Sequence, residues 1–362
     1  MRGMTSRKWN FSSGPAALPE PVLRKAQGAI LDFEGSGIGI LEHSHRGPEF
    51  SALVARCERL VREVGRVPDD RVVMFLQGGA SAQFHMVPMN LLGAGRTADY
   101  CVTGSWGQKA VAEARRFGTV HVACDGGPAF ERLPSDVRFS DDPAYVHVTS
   151  NETIAGVQWP VLPTPPAGVP LVCDASSDIF SRPLDLASFG LIYAGAQKNL
   201  GPSGLVLAIA RRDLVERGSR DLATMLQYRT WAADHSLYNT PPTFSIYVMT
   251  ETLAWLAAEG GVAAMAERNA EKAALLYGAL DASKLFRATV APGSRSQVNV
   301  VFRTPSAELD ARFVALAEAR GLANLRGHRT AGGMRASMYN AMPIDGVRAL
   351  VAFMDEFERS NG

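Results

Sequence analysis

A lysine and an aspartate follow two apolar runs that are typical of neighbouring strands in one sheet. The first run, residues 170–173, ends in Asp174, and the second run, residues 191–194, is followed by Lys198. The lysine precedes a loop rich in glycine, proline and serine, so its amine is expected to lie partly out of water. Desolvation lowers the pKa of an amine, which can then add to an aldehyde as the free base.

An aspartate at the next strand end could keep a pyridine nitrogen protonated. A protonated pyridine ring is the electron sink that pyridoxal phosphate (PLP) chemistry requires. Taken singly, Lys198 is explained by a surface position and Asp174 by the capping of a helix. Together, at the ends of adjacent strands, they favour a PLP site, and both are predicted to be catalytic.

A PLP site also needs phosphate donors and a surface for the ring. Residues 78–81 (GGAS) stand between a predicted strand and a predicted helix, where backbone N–H groups can hold a phosphate. The run matches neither the dinucleotide-binding pattern GxGxxG nor the P-loop. Trp106 follows a strand at the same predicted edge and could cover the cofactor ring, although tryptophan is more often a core residue.

Arginines in two loops indicate an anionic substrate. One loop, residues 44–47, contains His45 and Arg46, and a second, glycine-rich loop spans residues 325–335. The second loop contributes His328, Arg329 and Arg335. Guanidinium groups match carboxylates and phosphates with paired hydrogen bonds. The alternative for each arginine is a solvated surface position, and no grouping of histidines, cysteines and carboxylates has the spacing of a metal site.

The elements that must position these residues alternate between strands and helices over the first two-thirds of the chain. The sequence predicts strands at residues 71–76, 100–103, 120–123, 145–149, 170–173, 191–194 and 205–210, and helices at 82–92 and 108–117. Several strands are apolar throughout, as expected when both faces are covered. The fold class is therefore predicted as α/β, a mostly parallel sheet sandwiched by helices, with function at the carboxyl ends of the strands.

The last third of the chain has a different pattern. Residues 228–244 are predicted to be irregular, and residues 244–280 to form a long helix broken near the glycine pair 260–261. A strand at 298–302, a helix at 308–319 and a closing helix follow. We therefore expect a large PLP-binding domain at residues 16–262 and a smaller α+β domain at 263–362. The segment 1–15 is expected to pack near the active site.

Composition excludes several classes of protein. The 362 residues are 46% hydrophobic and 20% charged with a net charge of +1, as in an ordinary globular protein without the basic surface that nucleic acid needs. The four cysteines are far apart, so neither a zinc site nor a disulfide framework is predicted. Neither a signal core nor a membrane span is predicted, and the cytoplasm is the expected location.

Short motifs from Trp9 onward resemble those of phosphoserine aminotransferases, a family of class-V aminotransferases with PLP fold type I. The motifs are NFSSGPAALP at 10–19, SHRG at 44–47, QGGAS at 77–81, TGSWG at 103–107, SNETIAG at 150–156, DASSD at 174–178, AGAQKNLGPSG at 194–204, YNTPPTF at 238–244 and GHRTAGGMRASMYNA at 327–341. The resemblance covers almost the whole chain.

The resemblance implies a role for each matching residue. Lys198 would bind PLP as a Schiff base, Asp174 would hold the pyridinium, and Trp106 would stack on the ring. The remaining cofactor contacts would come from Thr153, Gln197, Ala80 and Ser81, and from Asn239 and Thr240 of the neighbouring subunit of a homodimer. The substrates' anionic groups would be bound by His45, Arg46, His328, Arg329 and Arg335.

The implied reaction transfers the amino group of L-glutamate to 3-phosphohydroxypyruvate, with a phosphorylated oxo-acid of PLP biosynthesis as a second possible substrate. Some family members carry arginine where this chain has Ser81, so one potential phosphate partner is missing. A cysteine desulfurase needs a late nucleophilic cysteine, and no cysteine follows Cys173. An alanine–glyoxylate aminotransferase and a non-catalytic binding protein remain as alternatives.

Overall fold

The apolar runs of the first two-thirds form a single large sheet. The computed structural model describes residues 7–361. Its strands are Trp9–Asn10 (β1), Arg71–Gln77 (β2), Thr97–Val102 (β3), Thr119–Asp125 (β4), Val146–Thr149 (β5), Asn151–Glu152 (β6), Val157–Gln158 (β7), Leu171–Asp174 (β8), Phe189–Gly195 (β9), Leu205–Arg211 (β10), Arg287–Ala288 (β11), Asn299–Arg303 (β12), Leu322–Ala323 (β13) and Met334–Ser337 (β14).

Helices alternate with the strands and cover the sheet. They are Glu20–Ala29 (α1), Pro48–Gly65 (α2), Gly79–Leu91 (α3), Ser105–Ala114 (α4), Arg212–Arg217 (α5), Tyr228–Ala233 (α6), Thr243–Ala258 (α7), Gly261–Ala282 (α8), Ala307–Ala319 (α9) and Ile344–Asn361 (α10). None of those helices, all within residues 7–361, is long and apolar enough to cross a membrane.

The seven-stranded sheet has the order β2-β10-β9-β8-β5-β3-β4. Strand β10 runs antiparallel to both of its neighbours, and the other pairs are parallel. Strands β5, β8 and β9 are buried along their whole length, as their apolar sequences require. The predicted mostly parallel sheet between helices is confirmed.

The carboxyl ends of the parallel strands meet at one edge of this sheet. Asp174 pairs with Thr149 of β5 on one side and with Tyr193 of β9 on the other. Through β10, the end of β9 is also aligned with Gln77, the last residue of β2. Residues that follow β2, β3, β5, β8 and β9 are therefore brought to the same edge.

A smaller core forms around the last third of the chain. Strands β11, β12 and β14 make an antiparallel sheet, and its buried aromatic residues include Phe286, Phe302 and Phe313. Phe11 belongs to the same cluster and is fully buried, and β1 pairs in parallel with β13. The start of the described chain is thus built into this smaller core.

Four predictions about local structure need correction. Helices α3 and α4 each begin three residues before the predicted start, directly after the glycines at 78 and 104. The loop predicted over 325–335 ends in β14, so Arg335 lies on a strand. The segment 228–244 contains the helix α6.

Candidate active site

Lys198 is held in a buried turn that follows β9. The amides of Leu200 and Gly201 both donate to the carbonyl oxygen of Ala196, at 3.1 and 2.8 Å. The Lys198 side chain points inward, with only 9% of the residue exposed, and its Nζ donates to Thr153 Oγ1 at 2.6 Å. A lysine amine is thus fixed at the carboxyl edge of the sheet with a hydroxyl as its partner.

Asp174 is the last residue of the neighbouring strand β8 and is buried. One of its carboxylate oxygens, Oδ1, accepts from the amide of Ser176 at 2.9 Å. Its backbone carbonyl accepts from the amide of Ser150 at 3.0 Å. The loop after β8 and the end of β5 therefore fix the position of this carboxylate.

Burial pushes both groups towards their neutral forms. It raises the pKa of Asp174, an effect that the Lys198 charge opposes. Burial lowers the pKa of Lys198. The negative charges of Asp174 and Glu152 oppose this shift, and the positive charge of Arg335 adds to it. The amine is therefore closer to its nucleophilic form than an exposed lysine is, and the carboxylate is favoured by any cation placed against it.

Thr153 occupies the turn between β6 and β7 and joins two predicted site residues. Its hydroxyl contacts Lys198, and its carbonyl accepts from Arg335 Nη1 at 3.3 Å. The other guanidinium end of Arg335, Nη2, donates to Ser13 Oγ at 2.6 Å. Arg335 is buried, so it lies inside the site rather than on the surface.

Trp106 is the second residue of α4, beside the lysine. Lys198 Nζ lies 5.5 Å from the centroid of the Trp106 ring, and Lys109 Nζ lies 4.2 Å from it. The indole Nε1 is buried and has no partner, and the same is true of Gln197 Oε1. Both atoms are available for hydrogen bonds to a molecule bound here.

The helix α3 begins at the same edge of the sheet. Gly78 and Gly79 have φ values of 91° and 68°, which favour glycine. A Cβ atom on Gly79 would meet nothing within 4 Å, so the space beside this helix end is open. Ala80 is half-buried and Ser81 is exposed in the first turn, where amide groups lack helical partners.

The segment that contains Asn239 and Thr240 lies against the end of β2 in its own chain. Gln77 Nε2 donates to Asn239 Oδ1 at 3.0 Å and to the Thr240 carbonyl at 3.3 Å. Thr240 is exposed, and Asn239 is half-buried. This pair is therefore close to the start of α3, although no hydrogen bond within residues 7–361 joins it to Lys198.

The predicted substrate-binding residues divide into two groups. Burial lowers the pKa of His328, and the positive charges of Arg335, Lys109 and Arg329 lower it further. In the described part of the chain, no hydrogen bond or ion pair connects His45 or Arg46 with that group. His45 Nε2 is buried without a partner, and Arg46 is exposed.

Comparison with known proteins identifies the family. The model of the aminotransferase class-V family matches residues 8–350. The chain belongs to the class-V aminotransferases. It is 50% identical to the phosphoserine aminotransferase of Laribacter hongkongensis, over 98% of this chain and 99% of the relative.

Solved structures of other family members agree. The phosphoserine aminotransferase of Bacillus circulans subsp. alkalophilus is 46% identical with a TM-score of 0.97, and the match covers 99% of this chain and all of that one. A PLP-bound phosphoserine aminotransferase from Trichomonas vaginalis is 36% identical with a TM-score of 0.93, covering 96% and 100% of the two chains.

Two residues of this class-V aminotransferase were missed by reasoning from the sequence. Glu152 is fully buried in the site and was not singled out, although it is the one charged residue of the SNETIAG motif. Lys109 lies one helical turn after Trp106, a spacing that could have indicated a cation over the ring.

A sizeable cavity of this class-V aminotransferase lies away from these residues. It has a volume of about 710 Å³ and lies where α2 ends and α7 meets α8, between Arg66, Arg182 and Gly260. None of the predicted site residues lines it. The buried polar groups, not the cavity volume, locate the candidate active site.

Proposed function

We propose that this class-V aminotransferase uses PLP to transfer the amino group of L-glutamate to 3-phosphohydroxypyruvate, giving O-phospho-L-serine and 2-oxoglutarate. The observation that carries the proposal is the buried pair of Lys198 and Asp174 at the carboxyl edge of the sheet. The whole-chain identity with phosphoserine aminotransferases supports this choice of substrate. The phosphorylated oxo-acid of PLP biosynthesis is a second candidate substrate for the same site.

The residues at this edge fit PLP. The Trp106 Nε1 and Gln197 Oε1 atoms are buried without partners, and the helix α3 begins beside open space at Gly79. Lys198 supplies an amine of lowered pKa. Asp174 supplies a buried carboxylate, whose charged form is favoured by a cation placed against it. Those are the donors, acceptors and charges that the phosphate, aldehyde and ring nitrogen of PLP need.

When bound, PLP supplies an aldehyde carbon at which amino groups exchange and a ring that accepts electrons from the substrate. Lys198 would hold the cofactor through Nζ, and its free amine would move the proton from the substrate Cα. Thr153 orients this amine through the hydrogen bond to its hydroxyl. Asp174 keeps a proton on the ring nitrogen through a charge-assisted hydrogen bond.

The remaining cofactor contacts orient the ring and the phosphate. Trp106 would stack on the ring, and Gln197 would hydrogen-bond to the cofactor. Ala80 and Ser81 would donate amide hydrogens from the first turn of α3, where the helix dipole also favours an anion. Asn239 of the partner subunit and Thr240 of the partner subunit would complete the phosphate site.

The substrates' carboxylate and phosphate are bound by cations. The charges of Arg335, Lys109 and Arg329 all act on His328. Lys109 thereby adds a positive charge to a site in which Ser81 contributes none. His45 and Arg46 would bind the same anionic groups, and no polar contact in the described residues joins them to Lys198 within one chain.

The proposed assembly is a homodimer in the cytoplasm. Each subunit has a large domain at residues 16–262 and a small domain at 263–362. The segment up to residue 15 would pack near the active site. In support of that position, Ser13 contacts Arg335 and the amide of Ala16 donates to the Gln197 carbonyl at 2.9 Å. Residues 1–6 lie outside the described residues.

Replacing Lys198 should abolish both turnover and covalent attachment of PLP. Lys198→Ala removes the amine, and Lys198→Arg keeps a cation but has no nucleophilic nitrogen at neutral pH. The measurement is a coupled glutamate-dependent assay with 3-phosphohydroxypyruvate, together with mass spectrometry after borohydride reduction. The parent should prefer 3-phosphohydroxypyruvate over hydroxypyruvate and glyoxylate. Near-parent turnover in both variants would contradict the role of Lys198. A preference of the parent enzyme for glyoxylate would favour an alanine–glyoxylate aminotransferase.

Loss of a substrate-binding arginine should weaken the binding of 3-phosphohydroxypyruvate. A hydrogen bond to a charged group contributes about 1.5–3 kcal/mol, and each 1.4 kcal/mol corresponds to roughly a factor of ten. Arg46→Ala and Arg329→Ala are therefore expected to raise KM by about ten-fold or more. Arg287→Ala, at an exposed position on β11, is the control. Unchanged KM values in both variants would show that these arginines are solvated surface residues that do not bind the substrate.

Complementation between subunits tests the shared active site. Lys198→Ala is co-expressed with a double variant, Asn239→Ala with Thr240→Ala, and heterodimers are isolated by two different tags. If Asn239 and Thr240 serve the partner's cofactor, one site per heterodimer receives both an intact lysine and an intact loop. Activity should then recover to about half of the parent value per dimer, by this two-fold geometry. Inactive heterodimers made from well-folded chains would assign the loop to its own subunit, where Asn239 already contacts Gln77.

A further inference from the structure

The buried carboxylate of Glu152 caps the helix that carries Trp106. Its Oε2 accepts from the Trp106 amide at 3.1 Å, and its Oε1 accepts from the Gly107 amide at 2.8 Å. These amides lie in the first turn of α4, where helical acceptors are missing. Gly104, at the N-cap position, has no side chain to supply them. The cap is therefore provided by another element, the hairpin of β6 and β7.

The sequence around α4 leaves space for this carboxylate. A Cβ atom on Gly104 would lie 2.3 Å from Glu152 Cδ, which is too close for any real contact. The φ of Gly104 is 176°, an extended conformation that any residue can adopt. Glycine is required at position 104 by the carboxylate beside it rather than by the backbone.

Glu152 also connects this helix with the lysine. The next residue, Thr153, accepts the hydrogen bond from Lys198 Nζ at 2.6 Å. The ring of Trp106 and the amine of Lys198 are thus both positioned from adjacent residues of one short hairpin. Burial raises the pKa of Glu152 to about 7, although its amide hydrogen bonds act in the opposite direction. The charge of Asp174 raises this pKa as well, and the charge of Lys198 lowers it.

We propose that Glu152 is a positioning residue that fixes the Trp106 ring relative to the Lys198 amine, and that its two hydrogen bonds to α4 maintain the reactive geometry. It acts through Trp106 and Thr153 and does not itself contact the substrate. The proposal rests on the proposed function, since it assigns the ring and the amine to PLP. Misplacement of a reacting group by about 1 Å is enough to slow a positioned reaction strongly.

The test is Glu152→Gln in the PLP-loaded enzyme. An amide has one acceptor oxygen and a donor NH₂ group, so one of the two α4 amides loses its acceptor and faces a donor instead. We expect kcat to fall by about ten-fold or more, which corresponds to a loss of about 1.4 kcal/mol of stabilisation. The KM for both substrates should stay within about two-fold of the parent value, since Glu152 does not contact the substrate. The visible circular dichroism of the bound cofactor should also weaken, because its ring is no longer held in one orientation.

Glu251→Gln is the matched control. Glu251 is also a buried carboxylate, but its partners are Lys25 of α1 and Arg56 of α2. This variant should keep the parent kcat and the parent dichroism. A loss of both signals in Glu251→Gln equal to that in Glu152→Gln would overturn the proposal.

A second variant, Gly104→Ala, displaces the Glu152 carboxylate from the opposite side and should give the same fall in kcat and dichroism. If Glu152→Gln retains the parent kcat and dichroism and loses only thermal stability, Glu152 is a helix cap alone. If Glu152→Gln does not fold, parent-like behaviour of Gly104→Ala overturns the proposal. The dichroism does not depend on the substrate, so failure of the proposed transamination would be recognised separately, in the parent enzyme.

Discussion

The removal of a lysine and a carboxylate from water at one sheet edge is the constraint on which the rest of the site depends. Burial disfavours both charged forms, and an unpaired buried charge costs several kcal/mol, of the order of 3–5. Lys198 and Asp174 are buried near each other, and each charge partly offsets the desolvation of the other. Neighbouring groups satisfy what remains, since Thr153 accepts from the amine and Ser176 donates to the carboxylate. The pair is stable in this form, and it is also chemically reactive.

The fold supplies this arrangement through the alignment of parallel strands. Asp174 lies at the end of β8, and Lys198 in the turn after β9, so the register of the sheet sets where each side chain emerges. The antiparallel strand β10 links this edge to the start of α3. The start of the described chain joins the site through Ser13 and its contact with Arg335. Residues distant in sequence are thus brought together at one edge of the sheet.

The sheet and the central pair could be predicted from the sequence because both depend on local pattern. An apolar run that ends in a polar residue identifies a buried strand and the side chain at its end, and this was sufficient for Asp174 and Lys198. Resemblance to a family added the remaining residues, whose roles stay predictions. The structure brings Thr153, Trp106 and Arg335 to the lysine, whereas no hydrogen bond or ion pair within the described residues joins His45 or Arg46 to it.

What the sequence did not predict depends on contacts between distant residues. Glu152 was missed because strands as short as β6 and β7 have no periodicity, and a carboxylate is normally expected at the surface. Helix α4 starts three residues before its predicted start because its cap comes from that distant carboxylate. The glycines before Arg335 predict a loop, whereas pairing with β12 makes the segment a strand.

The most direct test of the central claim is the pH dependence with which Lys198 of the apoprotein captures PLP. Capture is trapped by borohydride and assigned to Lys198 by peptide mapping. Burial lowers the pKa of this amine, so the midpoint should lie below that of an exposed lysine. Asp174→Asn should lower it further, because the negative charge favours the protonated amine, and Arg335→Gln should raise it. A midpoint at the value of an exposed lysine, unmoved by Asp174→Asn, would contradict the account.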